Sequence, residues 1–494
     1  TLDSDISEIT VASGAVATVT SAQANNQTIS GAGGVTINAL ALDAVLTNLT
    51  ASGTVTANVA TGTNYTANST LGAVDAYVVA SGAVATLTSA QATGLAISGV
   101  GGLTVTGLAI DANLGSVTAA GAVTANVAAS LDYSANVNLA AVGTFAVAAG
   151  ATATLSGAQA ANTITLADGT ALAKINVLTT SVGDLSGLSL SSNITEIIVA
   201  ADAVATVTAT QANNQTISGA GSVAVTGITN STVLDNVDPT GGVTAKLADG
   251  DNISAFSNLG NVDNFSLNSG ASVTMTVGQN NTISGAAGTN TVTLSNAGTV
   301  IGSSAVEVYN LASGANTFTT ASTAGTTVNG STGAQEITGG SGGDTLNGGD
   351  GNDVLSGGLG ADSITGGVGF DTMTGGGGVD TFIFASGSVA NILNPEEIIT
   401  DFTTGTDRLN FGGSSADVTV VDGSGMLKST FKSNASTFFD GNELDVYIAY
   451  NVSELGDALV AVDMNSNGTF DDGDIFLKLL GVDGSTDILA SDVV

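Results

Sequence analysis

From residue 11 onward the chain alternates apolar residues with serine or threonine, as in Val16, Thr18 and Thr20 set against Ala15, Ala17 and Val19. A period of two with many β-branched residues predicts strand. Helical periodicity is nearly absent before residue 440.

The pattern also repeats at long range. VASGAVATVTSAQANNQTISGAGGVTI at 11–37 matches VASGAVATLTSAQATGLAISGVGGLTV at 79–105, and later copies begin at 147, 199 and 267. Gln23, Gln91, Gln159, Gln211 and Gln279 mark the copies, at spacings of 68, 68, 52 and 68, and Tyr65 and Tyr133 are equivalent in the connecting halves. Sixty-eight residues fit either three coils of roughly 23 in a parallel β-solenoid or one small β-sandwich. Only two prolines, no charged linkers and glycines at corner positions favour the solenoid. The spacing of 52 loses less than one such coil, which points to a shortened loop and leaves the coil count open. Glutamine and asparagine in QANNQT and QNNT fit either stacked amide ladders or exposed turns. Alternating threonine would also suit an ice-binding face, but it is ordinary for any solvated strand face.

Residues 339–383 break into five nonapeptides: GGSGGDTLN, GGDGNDVLS, GGLGADSIT, GGVGFDTMT and GGGGVDTFI. Glycines at the first, second and fourth places allow positive φ and turn carbonyls inward, where a side chain would obstruct an ion. The carbonyls of Gly340, Gly342, Gly349, Gly351, Gly358, Gly360, Gly367 and Gly369 are the candidate backbone ligands. The sixth place supplies Asp344, Asp353, Asp362, Asp371 and Asp380, and the eighth Leu346, Leu355, Ile364, Met373 and Phe382. A ring of oxygens suits a hard cation with six to eight ligands. The frame decays backward: GSTGAQEIT at 330–338 keeps Ile337 but has Gln335 where the aspartate belongs, and 321–329 keeps only Val328.

This run resembles the calcium-binding nonapeptide of the RTX proteins. The resemblance implies a parallel β-roll in which two nonapeptides close a coil of about eighteen residues. Asp344, Asp362 and Asp380 then share one edge and Asp353 and Asp371 the other, with several calcium ions between successive turns. Without the ions the carboxylate columns repel, so binding and folding should be one event.

Forty-two acidic against six basic residues give a net charge of −36, which excludes nucleic acid as a natural partner and favours multivalent cations. With 67 glycines, 14 phenylalanines and no tryptophan, the interior should be thin and repetitive. No cysteine means no disulfides. No histidine excludes Ser-His-Asp, Cys-His and H-E-x-x-H chemistry, and two lysines in the first 400 residues are a poor start for a lyase or epimerase cleft. No run of eighteen strongly apolar residues predicts a membrane span. Thr1 is read as a processed terminus or a fragment end.

Beyond the repeats, IITDFTTGTDRLNF at 398–411 looks like the segment that follows RTX arrays, and Asp401 and Asp407 are candidates to hold a further calcium or to cap a turn. DMNSNGTFDDGD at 463–474 has the spacing of a twelve-residue calcium loop, with Asp463, Asn465, Asn467, the Thr469 carbonyl, Asp471 and Asp474 as ligands and Gly468 at the turn. Aspartate stands where a longer glutamate is usual. The flanks VYIAY and IFLKLLGV predict a loop between strands. The end, TDILASDVV, resembles the uncleaved signal read by type I secretion machinery.

The expected architecture is all-β: a solenoid over 1–320, an RTX β-roll over 321–383 and a β-rich cap over 384–494. The expected function is a secreted, non-enzymatic structural protein of the bacterial cell surface, of the kind seen in RTX-bearing S-layers. It would be exported unfolded and assembled by calcium, with a cell-surface polysaccharide as a candidate partner. An RTX adhesin is the alternative, and a secreted carbohydrate-active enzyme a weaker one.

Overall fold

A computed structural model of the 494-residue chain describes residues 6–25, 27–178, 183–213, 215–256, 261–280, 283–285, 288–384, 397–412, 417–424, 426–441, 444–452, 457–471, 474–482, 484 and 488–494. Two compact units are distinguished. One comprises Thr1–Thr226 with Val233–Val243, the other Gly227–Thr232 with Thr244–Val494.

The first unit is a parallel β-solenoid. Val16 pairs with Gly34, Val35 with Val55 and Thr63 with Ala85, so a coil takes 18, 20 or 22 residues. The expected coil of roughly 23 is too long. The reason lies in how the repeat is cut. From Glu8–Val11 the chain runs through Val16–Thr20, Thr28–Gly31, Gly34–Asn38, a bridge at Leu49, Val55–Val59 and Thr63–Asn64 before reaching Ala76–Val79, the equivalent of the start. That is seven strand segments at two per coil, hence three and a half coils per 68 residues. Because seven is odd, equivalent strands fall on opposite faces. Glu8–Val11 pairs with Thr28–Gly31 on one face, whereas Ala76–Val79 joins the sheet of Val16–Thr20 and Gly34–Asn38 on the other.

The 52-residue copy obeys the same rule. Between Thr144–Val147 and its equivalent within Ile194–Val199 lie Thr152–Leu155, Thr163–Leu166, Leu172–Val177 and a bridge at Asp184, so five segments replace seven. A whole coil is missing, and the shortened-loop reading is corrected.

Alternation fills the interior: Val35, Ile37, Val55, Ala57 and Val59 are fully buried. Tyr65 and Tyr133 are buried too, and each phenol donates to a backbone carbonyl, of Leu40 and Leu108 respectively, at 2.8 Å. The marker glutamines are neither ladders nor exposed turns. Each is the third residue of a one-turn helix. Gln91 Oε1 accepts from the Thr88 N–H at 2.8 Å and the Thr88 hydroxyl accepts from the Gln91 N–H, a capping box. Its Nε2 donates back to the carbonyls of Tyr65 and Asn68 at 3.0 and 2.8 Å. Gln159 and Gln211 repeat the arrangement on Tyr133 and Asn136 and on Leu185 and Leu188. Asn26, Asn214 and Asn281 of the same motifs lie outside the described residues.

In the second unit the coils tighten. Ser272 pairs with Thr291, Thr291 with Val308 and Val308 with Thr327, and from Thr327↔Thr345 to Ser363↔Thr381 the step is a constant 18. One apolar residue per half-coil lines the axis. Tyr309, Phe318, Val328, Ile337, Leu346, Leu355, Ile364, Met373, Phe382 and Leu409 are all buried to 1% exposure or less. This is the β-roll. It ends in a cap where Ile475–Leu479 extends the sheet beside Glu397–Ile399 and runs antiparallel to Ala458–Asp463, which pairs with Asp445–Tyr450. The expected strands around 463–474 are present. The helix Lys428–Phe438 was not expected, and it packs Phe431 against Phe476 with ring centroids 5.6 Å apart.

Candidate metal centre

The five sixth-place aspartates are buried to 2% exposure or less, in two columns. Each column is built one way: a carboxylate oxygen caps the N–H of the residue one coil earlier. Oδ1 of Asp344 accepts from Thr326 N–H at 2.6 Å, Asp353 from Gln335 at 2.6 Å, Asp362 from Asp344 at 2.7 Å, Asp371 from Asp353 at 2.8 Å and Asp380 from Asp362 at 2.9 Å. Oδ2 of Asp353, Asp362 and Asp371 is buried and accepts nothing.

A buried, unsatisfied carboxylate oxygen is costly. Burial, then repulsion from the aspartates a coil away, pushes Asp362 up to about 6; burial pushes Asp371 up to about 6, with Asp353 adding repulsion; and Asp353 and Asp380 also rise. A cation beside these carboxylates would favour their ionised form.

The glycines show the same fit. Gly358 and Gly360 have φ of 106° and 128°, as the turn requires. The first-place glycines do not use positive φ, contrary to expectation. A Cβ on Gly348 or Gly357 would instead strike Oδ2 of Asp353 or Asp362, the same oxygens that lack a partner. A cradle that only glycine leaves open surrounds each idle oxygen. Among the described residues no group of three acidic side chains gathers at one point. A cation held between stacked carboxylates would therefore take its remaining ligands from glycine-turn carbonyls, as a hard ion accepts.

Residues 329–364 and 356–388 each match the family profile of the RTX calcium-binding nonapeptide repeat, a profile that spans four copies. The segment is an RTX calcium-binding array. No curated protein matches the chain. RTX nonapeptides bind calcium, and an array of this length implies several ions. The match covers the segment whose idle oxygens and glycine cradles accept them, and it reaches back over Gln335. Repeats of this kind are those of secreted calcium-binding proteins of the RTX type. No described helix is long and apolar enough to cross a membrane.

Two residues beyond the RTX array continue the columns. Asp407 Oδ1 caps Asp380 N–H at 3.0 Å, and its Oδ2 accepts from Thr403 N–H at 2.7 Å. Glu397, buried to 1%, sits one coil above Asp371, since Thr372 pairs with Ile398. Asp407 was expected near a metal, while Glu397 was missed because its coil is longer than two nonapeptides. Asp401 caps the last glycine turn, accepting from Gly375 and Gly376 N–H at 2.9 and 2.8 Å.

In the 463–474 loop, Asp463, Asp471 and Asp474 are satisfied from within the loop. Asp463 accepts from Asn467 and Gly468 N–H, and Asp474 from Met464 and Asp471 N–H. The side-chain amides of Asn465 and Asn467 donate to Asp471 at 3.0 and 2.7 Å, and Thr469 leans on Asn467 Oδ1. Burial, then the charges of Asp463 and Asp471, pushes Asp474 up to about 6. The predicted ligands are thus linked by hydrogen bonds, with asparagine amides donating where a cation would require their oxygens.

Proposed function

We propose that the protein is a non-enzymatic structural component of the bacterial cell surface, an S-layer or surface-filament subunit whose folding and assembly are driven by calcium outside the cell. The observation that carries this reading is an RTX calcium-binding roll joined in sequence to a long regular array, in a chain with no histidine, no cysteine and six cationic residues. Of the six cationic residues, Lys174 and Lys478 are held by Glu196 and Asp457 at 2.6 and 2.7 Å.

Calcium would be bound by Asp344, Asp353, Asp362, Asp371 and Asp380 with the glycine-turn carbonyls, the columns being closed by Asp407 and Glu397. The 463–474 loop would take a further ion once its asparagine amides turn over. Cytosolic calcium is too low to load sites of the extracellular class, with dissociation constants of about 10⁻⁴–10⁻³ M, so the roll stays open for type I export and closes outside. Each site then stabilises the fold by about 1.4 kcal/mol per tenfold excess of ion over its dissociation constant.

The adhesin reading is favoured by one feature, equivalent surface hollows of about 470 and 390 Å³ beside Gln159 and Gln91. Negative-stain microscopy of the purified protein, titrated with calcium and then chelated, separates the two. Calcium-dependent sheets or filaments support the structural role. Isolated particles that bind cell-surface polysaccharide establish the adhesin in its place.

A further inference from the structure

Below Asp353 the column keeps the same corner construction with amides in place of carboxylates, while in the opposite column Glu307 still caps Asn290 N–H at 2.7 Å. Asn316 pairs in register with Gln335, and Glu336 with Val354, which seats Asn316 and Gln335 directly below Asp353 in one column. Both are buried, to 3% and 2%. The Asn316 oxygen does what the aspartates do, its Oδ1 capping Gly298 N–H at 3.1 Å, whereas Gln335 Oε1 accepts from the Asn316 side-chain amide and the Gln335 N–H is in turn capped by Asp353.

Their nitrogens do something the aspartates cannot. Asn316 Nδ2 donates to the carbonyls of Ala312 and Gly314 at 2.8 and 3.1 Å and to Oε1 of Gln335 at 2.8 Å. Gln335 Nε2 donates to the carbonyls of Gly314 and Gly333 at 3.0 and 2.7 Å. Gly333 is the fourth residue of the degenerate nonapeptide 330–338, the place whose carbonyl in later coils is available to an ion. An uncharged N–H₂ group therefore holds together the inward oxygens of two successive corners, and it satisfies polar groups that are expensive to bury unpaired.

We propose that Asn316 and Gln335 are built-in replacements for the cations of the roll. The coils they close fold without calcium and present a finished sheet edge on which the first calcium-dependent coil is laid. Stacking on a completed coil avoids the cost of nucleating one. Calcium loading then proceeds from this edge toward the cap. The inference rests on the calcium reading above, and its test reports that reading separately.

Hydrogen exchange of the full chain, read by mass spectrometry in EDTA and in calcium, provides the test. In the wild type, peptides within 316–338 should be protected in both conditions and those within 344–383 only in calcium. Failure of the second group to respond would count against calcium-driven folding itself. Rapid exchange of 316–338 in EDTA would overturn the replacement. Gln335→Asp should lose protection of 316–338 in EDTA and regain it in calcium. Gln335→Leu should lose it in both. Protection of the Asp variant in EDTA, its failure to recover in calcium, or full protection of the Leu variant would each show that the amide is not the closing group.

Discussion

The N–H of Asp353 donates to Oδ1 of Asp371, eighteen residues later, at 2.8 Å, while Oδ2 of the same carboxylate is buried and bonded to nothing. One oxygen holds the coil spacing and the other awaits an ion. Asp371→Asn keeps an acceptor for the Asp353 amide and removes the charge. Charge-assisted contacts contribute about 1.5–3 kcal/mol, so the calcium midpoint for folding should rise by about tenfold or more. Circular dichroism during a calcium titration measures it, and an unchanged midpoint would remove Asp371 from the ligand set.

The raised values of Asp362 and Asp371, about 6 against an ordinary 3.8, set the sign of the pH dependence. The metal-free folded roll binds more protons than the unfolded chain between those limits, so its stability falls as pH rises through that window. In EDTA the roll should be more stable near about pH 4.5 than near about pH 7.5. In calcium the order reverses, because the ion displaces those protons. Thermal unfolding under the four conditions checks this, and proton uptake on adding calcium near pH 6 would contradict it.

Gly348→Ala and Gly357→Ala place a methyl group against Oδ2 of Asp353 and Asp362. Overpacking of this kind costs about 1–3 kcal/mol. Calcium affinity should fall with it, because the methyl fills the space beside the liganding oxygen. Isothermal titration reads both the affinity and the number of ions. An alanine variant that binds like the wild type would place the ions elsewhere.

Gln159→Ala removes a capping box and two bonds to the preceding coil. The cap alone is worth about 1 kcal/mol, and each buried carbonyl left without its donor adds about 1–3 kcal/mol. Exchange should accelerate around Tyr133–Asn136 equally in EDTA and in calcium. A calcium-dependent effect would mean that the array and the roll do not fold independently.

The roll was legible because its period in sequence equals its period in space: every ninth residue turns a corner, and the aspartates, glycines and axial residues fall in register. The parallel solenoid of the array was legible too, but its coil length was not, because 68 counts repeats and not coils. Only the pairing of Val16 with Gly34 and of Thr63 with Ala85 reveals the half-integer number. The glutamines carried a readable signal, threonine or serine three residues before Gln91 or Gln159, which is the spacing of a capping box. The helix Lys428–Phe438 was also within reach, since Phe431, Ala435 and Phe438 sit at helical spacing. Glu397 was not, because the step from Thr372 to Ile398 breaks the count of nine.

Half-integer turn counts, three and a half in a 68-residue repeat and two and a half in the 52-residue one, make the array bilateral: whatever one copy of the motif shows on one flank, its successor shows on the reverse. Excising a single unit would swap the flanks of every copy downstream, and excising two would restore them. A partner that reads the motif could therefore clasp the protein from both sides at once, and lineages that vary its length without changing how it is grasped should gain and lose units in pairs.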